Sequence, residues 1–293
     1  MRFLAFQREG TRRLGVRRGE SIVDLQALEG RWPNELEQLL AGGTDALRAL
    51  DTALARAPRE ACVPRHEVRP LRPIARPPKI LCLGLNYASH VAESISKQRP
   101  SHPMLFLRAT SSLVDPDAPI VRPGCSEQLD FEGELVAVIG RRARHVSPAD
   151  ALSIVAGYSI FNDGSIRNYQ RLTTQWTLGK NFDSTGAFGP EFVTADELPP
   201  GAAGLKLETR LNGQVMQSAN TTDMLFGVAE TIALLSEAMT LEVGDLLVMG
   251  TPAGVGAARE PPVWMKPGDV CEVEIEGIGT LRNPIAAEGA VGA

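Results

Sequence analysis

The alternation of apolar and polar positions along the chain predicts many short strands. The first 24 residues form apolar runs separated by turns at Glu9-Gly10 and Gly19, a pattern typical of a meander. The segments 79–84, 135–139 and 246–249 are apolar at successive positions, which indicates strands that are buried on both faces. The pattern therefore predicts an α+β, strand-rich fold.

Prolines mark a boundary within the chain. Two helices are predicted between residues 33 and 56, and the connector 68–78 that follows them is interrupted by prolines and cannot be helical. We therefore predict a small N-terminal α+β domain over residues 1–72 and a larger domain over residues 73–293.

Composition excludes several classes of protein. The 293 residues are 43% hydrophobic and 22% charged, enough to bury a substantial core. A formal net charge of -5 argues against a nucleic-acid partner. The sequence contains neither a membrane-spanning run nor a signal peptide, so we expect no membrane partner and a cytoplasmic location. The four cysteines lack Cys-x-x-Cys spacing, so neither a zinc site nor a disulfide framework is suggested.

Three acidic residues stand at the ends of two predicted strands. Glu132 and Glu134 are two residues apart in an extended segment and share one face, and Asp163 ends a second short apolar strand. If the strands are neighbours, the three carboxylates converge, and a cation would relieve their repulsion. Oxygen ligands suit Mg²⁺ or Mn²⁺, allow Ca²⁺ and disfavour Zn²⁺. The alternative is a solvated strand end.

A histidine and a carboxylate follow the strand at 79–84. On a helix or turn, His90 and Glu93 lie at i and i+3 and share a face, so Glu93 would orient the imidazole as a water-activating base. The alternative is an ordinary pair on the surface. The polar loop from Ser94 to Pro103 is predicted to be a mobile lid.

Polar side chains beyond Asp163 complete the candidate chemistry. Arg167, Gln170 and Lys180 lie in a stretch without clear periodicity, where they would bind substrate beside a metal or simply be solvated. The glycine-rich turn 250–256 follows a strand and is suited to hold an anion, although it is not a P-loop.

Together these segments resemble the fumarylacetoacetate hydrolase family. The resemblance runs from about residue 73 to residue 284 and rests on seven motifs in the family's order: Gly84-Leu85-Asn86-Tyr87, His90-x-x-Glu93, Asp130 to Leu135, Gly157 to Asp163, Arg167 with Gln170, Trp176 to Asp183, and Gly250 to Gly256. It implies a mixed, strand-rich β-roll that forms a homodimer and carries a smaller N-terminal region.

The resemblance also assigns roles to individual residues. The family's ligands for Mg²⁺ or Mn²⁺ fall on Glu132, Glu134 and Asp163. Its catalytic residues fall on His90, Glu93 and Lys180, and its substrate contacts fall on Arg167, Gln170 and Thr251.

The implied activity is hydrolysis of a C–C bond in a 2,4-dioxo acid of the acylpyruvate or fumarylpyruvate type, within aromatic or sugar acid catabolism. Water activated by the His-Glu pair would attack the distal carbonyl, and the departing group would leave as an enolate bound to the metal, giving pyruvate and a carboxylic acid. The same scaffold serves oxaloacetate decarboxylation, keto-enol isomerisation or sugar-acid dehydration. A further alternative is a protein without catalytic activity, in which the ion has only a structural role and stabilises the contact between strands.

Overall fold

The computed structural model describes residues 1–93 and 97–290, so Ser94, Ile95 and Ser96 of the predicted lid lie outside the described residues. Its strands are β1 (Arg2–Arg8), β2 (Thr11–Arg18), β3 (Ser21–Asp24), β4 (Cys62–Pro64), β5 (Arg69–Leu71), β6 (Ile80–Gly84), β7 (Met104–Leu107), β8 (Leu113–Val114), β9 (Ile120–Arg122), β10 (Leu129–Asp130), β11 (Gly133–Ile139), β12 (Val155–Asp163), β13 (Ser165–Ile166), β14 (Gly186–Thr194), β15 (Lys206–Leu211), β16 (Gln214–Asn220), β17 (Leu246–Val248), β18 (Val270–Ile275) and β19 (Gly279–Ala287). Its α-helices are α1 (Leu36–Ala41), α2 (Gly43–Ala55), α3 (Ala88–Glu93), α4 (Arg167–Gln170), α5 (Thr177–Lys180) and α6 (Val228–Ala238). Strands dominate this inventory, which confirms the strand-rich α+β class.

The apolar run after Glu134 forms a central strand of the larger sheet. Along this sheet the order is β4-β3-β2-β1-β14-β12-β11-β17-β6-β7, with β5 paired to β1 and β8 to β14. Strands β11 and β12 are antiparallel neighbours, whereas β17 and β6 run parallel, so the sheet is mixed. Both predicted acidic strands therefore lie side by side in its middle.

A second sheet covers one face of the first. Its order is β16-β15-β18-β19-β9, and a tight turn at Asn212-Gly213 joins β15 to β16. Leu135 and Ala137 of β11 share one apolar cluster with Val273 of β18. Val136 and Val138 point the other way, into a cluster that contains residues of α1 and α2. Burial on both faces explains why β11 is apolar at every position after Glu134.

The N-terminal region adds strands to the same large sheet. The meander predicted for the first 24 residues is confirmed as β1, β2 and β3, and Arg2 of β1 pairs with Val193 of β14. The boundary near residue 72 stays a prediction. Among the described residues, no helix is long and apolar enough to cross a membrane.

Candidate active site

The three predicted acidic residues meet at one end of the β11–β12 pair. Gly133 pairs with Asn162, and the Asp163 N–H donates to the Glu132 carbonyl at 2.8 Å, which aligns the ends of both strands. One carboxylate oxygen from each of Glu132, Glu134 and Asp163 lies within 4.8 Å of the others, and all three residues are buried. The convergence predicted from their spacing is therefore present.

Glycine at position 133 lets the two sheets approach each other beside this cluster. A Cβ atom at Gly133 would lie 2.2 Å from Thr209 Oγ1 of the second sheet, which is closer than real atoms pack. A larger side chain between Glu132 and Glu134 would therefore push the acidic strand away from its neighbour.

Two cations neutralise part of the acidic cluster. Lys180 Nζ lies 2.5 Å from Glu132 Oε2 and 2.5 Å from Asp163 Oδ2. Arg167 pairs with Glu132 at 2.6 Å and with Asp130 at 2.8 Å. Burial works against the charge on Glu132, but Arg167 and Lys180 outweigh it and hold the pKa of that carboxyl below its usual range.

Glu134 has no such cation. Among the described residues it forms no ion pair, and its Oε2 accepts one hydrogen bond, from the Gly250 N–H at 2.6 Å. Burial, together with the charges on Asp163 and Glu132, raises the pKa of Glu134 well above its ordinary value.

The donor set fits a hard divalent cation. All three converging groups are carboxylates, and Lys180 already occupies the side of the cluster between Glu132 and Asp163 as a positive charge. Asp130, Glu132, Glu134 and Asp163 face the cations Arg108, Arg167 and Lys180, which leaves one formal negative charge uncompensated. Such oxygen ligands suit Mg²⁺ or Mn²⁺.

The glycine-rich segment 250–256 binds the site's own carboxylates. Besides the bond from Gly250 to Glu134, the Gly254 N–H donates to Glu93 at 2.9 Å and the Gly256 N–H donates to Asp130 at 2.7 Å. The turn does hold anions, as its composition suggested, but they are protein side chains. It therefore fixes the acidic cluster and the predicted base together.

The predicted base lies on the short helix α3. His90 Nδ1 lies 2.8 Å from Glu93 Oε1, and the side chains of both residues are partly buried, at 13% and 21% exposure. Because one oxygen of Glu93 faces the imidazole and the other accepts from Gly254, the histidine ring is held in one orientation.

One cavity of about 830 Å³ brings these groups together. Its wall includes all the predicted site residues except Asp163: His90, Glu93, Glu132, Glu134, Arg167, Gln170, Lys180 and Thr251. Asp163 lies behind the wall, fully buried. Residues Gln98 to Ser101 of the predicted lid and Trp176 also line the cavity.

Two of the predicted substrate contacts already have protein partners. Gln170 Oε1 accepts from Arg167 at 2.8 Å, which orients both side chains. The Thr251 hydroxyl donates to the Gly133 carbonyl at 3.0 Å and accepts from Gln217 at 2.8 Å. Their contacts with a substrate stay predictions.

Sequence reasoning missed the fully buried Arg108, which pairs with Asp163. It also left the role of Asp130 open, although that residue belongs to the acidic motif. Asp130 is no part of the converging triad, because its oxygens bind Arg167 and the amides of Gly256 and Ala257. Arg108 directly follows the apolar strand β7, and its position in the sequence gives no spacing that would mark it as a partner of Asp163.

The strand-rich fold thus brings buried carboxylates and an oriented histidine together in one cavity. A model of the fumarylacetoacetate (FAA) hydrolase C-terminal family matches residues 79–286. The chain belongs to the fumarylacetoacetate hydrolase family.

Relatives within this family catalyse different reactions. The mitochondrial oxaloacetate tautomerase Fahd2a of Rattus norvegicus is 39% identical over 268 residues, which cover 91% of this chain and 84% of the rat protein. A fumarylacetoacetate hydrolase from psychrophilic Exiguobacterium antarcticum is 37% identical, with a TM-score of 0.85 and coverage of 98% of this chain and 100% of that chain. The maleylpyruvate hydrolase from Sphingobium sp. SYK-6, solved with manganese (II) ion and pyruvate, is 28% identical, with a TM-score of 0.79 and coverage of 98% of this chain and 99% of that chain.

Proposed function

We propose that this protein is a metal-dependent keto-enol tautomerase of oxaloacetate or a closely similar 2-oxo acid. The observation that carries the proposal is the meeting of an oriented base, His90 with Glu93, and a buried carboxylate cluster in one cavity. The rat relative, named as an oxaloacetate tautomerase, supports this choice of reaction over the hydrolysis favoured by the sequence alone.

Glu132, Glu134 and Asp163 would hold the cation. A bound Mg²⁺ or Mn²⁺ ion would supply Lewis acidity toward the oxygens of a 2-oxo acid. The Sphingobium enzyme was solved in complex with manganese (II) ion and pyruvate, a 2-oxo acid, which supports this combination of ligands.

Tautomerisation moves two protons. In the enol-to-keto direction, C3 of the substrate gains a proton and the 2-hydroxyl group loses one to solvent. We assign the proton at C3 to Nε2 of His90, because Nδ1 faces Glu93 and Nε2 is the ring atom left for the substrate. The reverse direction returns that proton to His90.

Lys180 stabilises the oxygen that changes charge. Burial alone would lower the pKa of Lys180, but Asp163 and Glu132 raise it, so the ammonium group stays charged at neutral pH. A fixed positive charge in a buried site stabilises negative charge developing on the 2-oxygen. Arg167, held by Asp130 and Gln170, would orient a substrate carboxylate.

Hydrolysis of a 2,4-dioxo acid is the second candidate. A cavity of about 830 Å³ exceeds the needs of a four-carbon acid and leaves space for a longer acyl group. In that reaction, His90 would take a proton from water instead of exchanging one with C3.

Two substrates separate the candidates. With Mg²⁺ present, we expect the enol absorbance of oxaloacetate to decay faster with the protein than without it, while pyruvate forms no faster than in the protein-free control. Release of pyruvate and acetate from acetylpyruvate would instead identify the hydrolase, and release of pyruvate from oxaloacetate above the protein-free rate would identify a decarboxylase. An unaltered rate with both substrates would contradict the proposal.

The oligomeric state, location, metabolic role and partners of the protein are separate predictions. A homodimer, a cytoplasmic location, a role in aromatic or sugar acid catabolism, and the absence of nucleic-acid and membrane partners all stay predictions. The rat relative is named as mitochondrial, so fractionation of the source cell is the relevant measurement of location. Sedimentation of the purified chain measures its oligomeric state.

A further inference from the structure

A fully buried arginine lies behind the acidic cluster, outside the cavity wall. Arg108 follows strand β7, and its side chain has 0% exposure. Its Nη1 pairs with Asp163 Oδ1 and donates to the Gly164 carbonyl at 3.2 Å. Its Nε donates to Ser112 Oγ at 3.1 Å, and its Nη2 donates to Thr185 Oγ1 at 2.9 Å. Every nitrogen of the guanidinium therefore has a partner.

The surrounding chain is built to accept this group. A Cβ atom at Gly186 would lie 2.6 Å from Arg108 Nη2, so the backbone can pass the guanidinium only because position 186 is glycine. The hydroxyl of Thr185 also donates to the Phe182 carbonyl at 2.7 Å, which points its oxygen lone pairs at Arg108. The ring of Phe161 lies 5.5 Å from the centre of the guanidinium. Arg108 is thus held in a single position.

Asp163 is shared between two cations that bind different oxygens. Oδ1 pairs with Arg108, and Oδ2 lies 2.5 Å from Lys180 Nζ, on the side of Glu132. A planar guanidinium that is fixed by three other partners holds Oδ1 in one place, whereas the single ammonium of a lysine at position 108 would make fewer of these bonds and hold Oδ1 less firmly. Arg108 therefore determines which oxygen faces the cluster.

We propose that Arg108 is a positioning residue that holds Asp163 by one oxygen so that the other is presented to a divalent cation. The inference rests on the cation site of the proposed function, but it does not depend on the substrate or on the reaction. Partners that orient a metal ligand typically change metal affinity about 10-fold to 100-fold when they are removed. Arg108 occupies that role for Asp163.

Titration of the chelator-treated full chain with Mn²⁺, followed by calorimetry, tests the proposal without an activity assay. We expect Arg108→Lys to weaken Mn²⁺ binding about 10-fold or more, because the lysine loses most of the hydrogen bonds that fix the carboxylate. Thr185→Val keeps Arg108 but removes the hydroxyl that accepts from its Nη2. This variant should also weaken Mn²⁺ binding, by less than Arg108→Lys does. At saturating Mn²⁺, both variants should recover most of the wild-type kcat.

An arginine that pairs with a buried carboxylate outside the cavity provides the control. Arg13 lies 2.7 Å from the buried Asp24, in the N-terminal meander. Arg13→Lys should lower the melting temperature without changing Mn²⁺ affinity. If Arg108→Lys lowers the melting temperature and leaves Mn²⁺ affinity within 2-fold of the wild type, Arg108 is only structural and the proposal is wrong.

Two further outcomes are informative. If Arg108→Lys does not fold, Thr185→Val decides, and an unchanged Mn²⁺ affinity in that variant overturns the proposal. If the wild-type chain itself binds no Mn²⁺, the cation site fails, and the proposal for Arg108 falls with it. Mn²⁺ binding without tautomerase activity would overturn the proposed reaction while leaving the role of Arg108 in place.

Discussion

His90 Nδ1 lies 2.8 Å from Oε1 of Glu93, one turn further along the same short helix. The second oxygen of Glu93 accepts from Gly254 N–H at 2.9 Å, so the glycine-rich segment and the helix fix the imidazole together. A histidine held in this way presents its other nitrogen to the cavity. His90 therefore has the fixed orientation that the proposed base requires.

Replacement of His90 should greatly slow the reaction without changing the affinity for the cation. We expect His90→Ala to lower kcat by roughly 10²-fold to 10⁴-fold, the usual contribution of a general base, and to leave Mn²⁺ affinity unchanged. The exposed His145 is a matched control, and His145→Ala should retain full activity. A His90→Ala variant with wild-type kcat would remove this residue from the chemistry.

Replacement of Lys180 should preserve or strengthen Mn²⁺ binding but lower kcat. Its ammonium lies 2.5 Å from both Glu132 and Asp163 and competes there with any other cation. We expect Lys180→Met to bind Mn²⁺ at least as tightly as the wild type but to lose roughly 10²-fold or more in kcat, because the fixed charge beside the substrate oxygen is gone.

The control for Lys180 is another lysine that pairs with a buried acid. Lys79 Nζ lies 2.6 Å from Asp245, away from the cavity. Lys79→Met should change stability alone, with Mn²⁺ affinity and kcat preserved. Weaker Mn²⁺ binding in Lys180→Met than in the wild type would contradict the competition argument.

The stability of the metal-free protein should depend on Glu134 in a pH-dependent way. Burial and the neighbouring Asp163 raise the pKa of Glu134 in the folded state well above its ordinary value of 4.5. A raised folded-state pKa gives stability that is fully present below 4.5 and is lost as pH rises through the folded-state pKa. The charge on Glu134 therefore destabilises the metal-free fold at the higher pH.

Urea unfolding of the wild type and Glu134→Gln without metal measures this effect. The free energy of unfolding of the variant relative to the wild type should rise as pH increases above 4.5, because the neutral amide avoids the charge that burial disfavours. Adding Mn²⁺ should stabilise the wild type and not the variant. A difference between the two proteins that stays constant with pH would contradict the assignment.

Asn86 illustrates a family motif whose role is structural. Its side chain is buried, donates to the carbonyls of Phe226 and Met249, and accepts from the Phe226 N–H at 2.9 Å. Asn86→Ala leaves these backbone groups without partners and should lower the free energy of unfolding by about 2–4 kcal/mol. Chemical denaturation measures the loss, and an unchanged midpoint would show that water replaces the amide.

The sequence predicted the local parts of this site well. The continuous apolar run of β11 predicted its burial on both faces, and the two-residue period of a strand predicted the shared face of Glu132 and Glu134. Both signals come from neighbouring residues. The spacing of His90 and Glu93 predicted their contact in the same way.

Contacts between distant segments could not be predicted from single-chain patterns. Arg108 reaches Asp163 across 55 residues, and Gly250 reaches Glu134 across 116 residues, each through a packing arrangement that only the folded sheet creates. The composition of the glycine-rich turn correctly predicted that its amides bind an anion. It did not predict that the anions are carboxylates of the protein itself. These contacts depend on tertiary packing, which produces no periodic pattern in the sequence.

The most direct test of the proposed function is the dependence of oxaloacetate tautomerisation on Mn²⁺. The rate of enol disappearance should fall to the uncatalysed value after chelation, return as Mn²⁺ is added to the wild type, and stay at the uncatalysed value in Glu132→Ala at every Mn²⁺ concentration. A Glu132→Ala variant that tautomerises oxaloacetate with wild-type Mn²⁺ dependence would contradict the account, as would full wild-type activity in the presence of chelator.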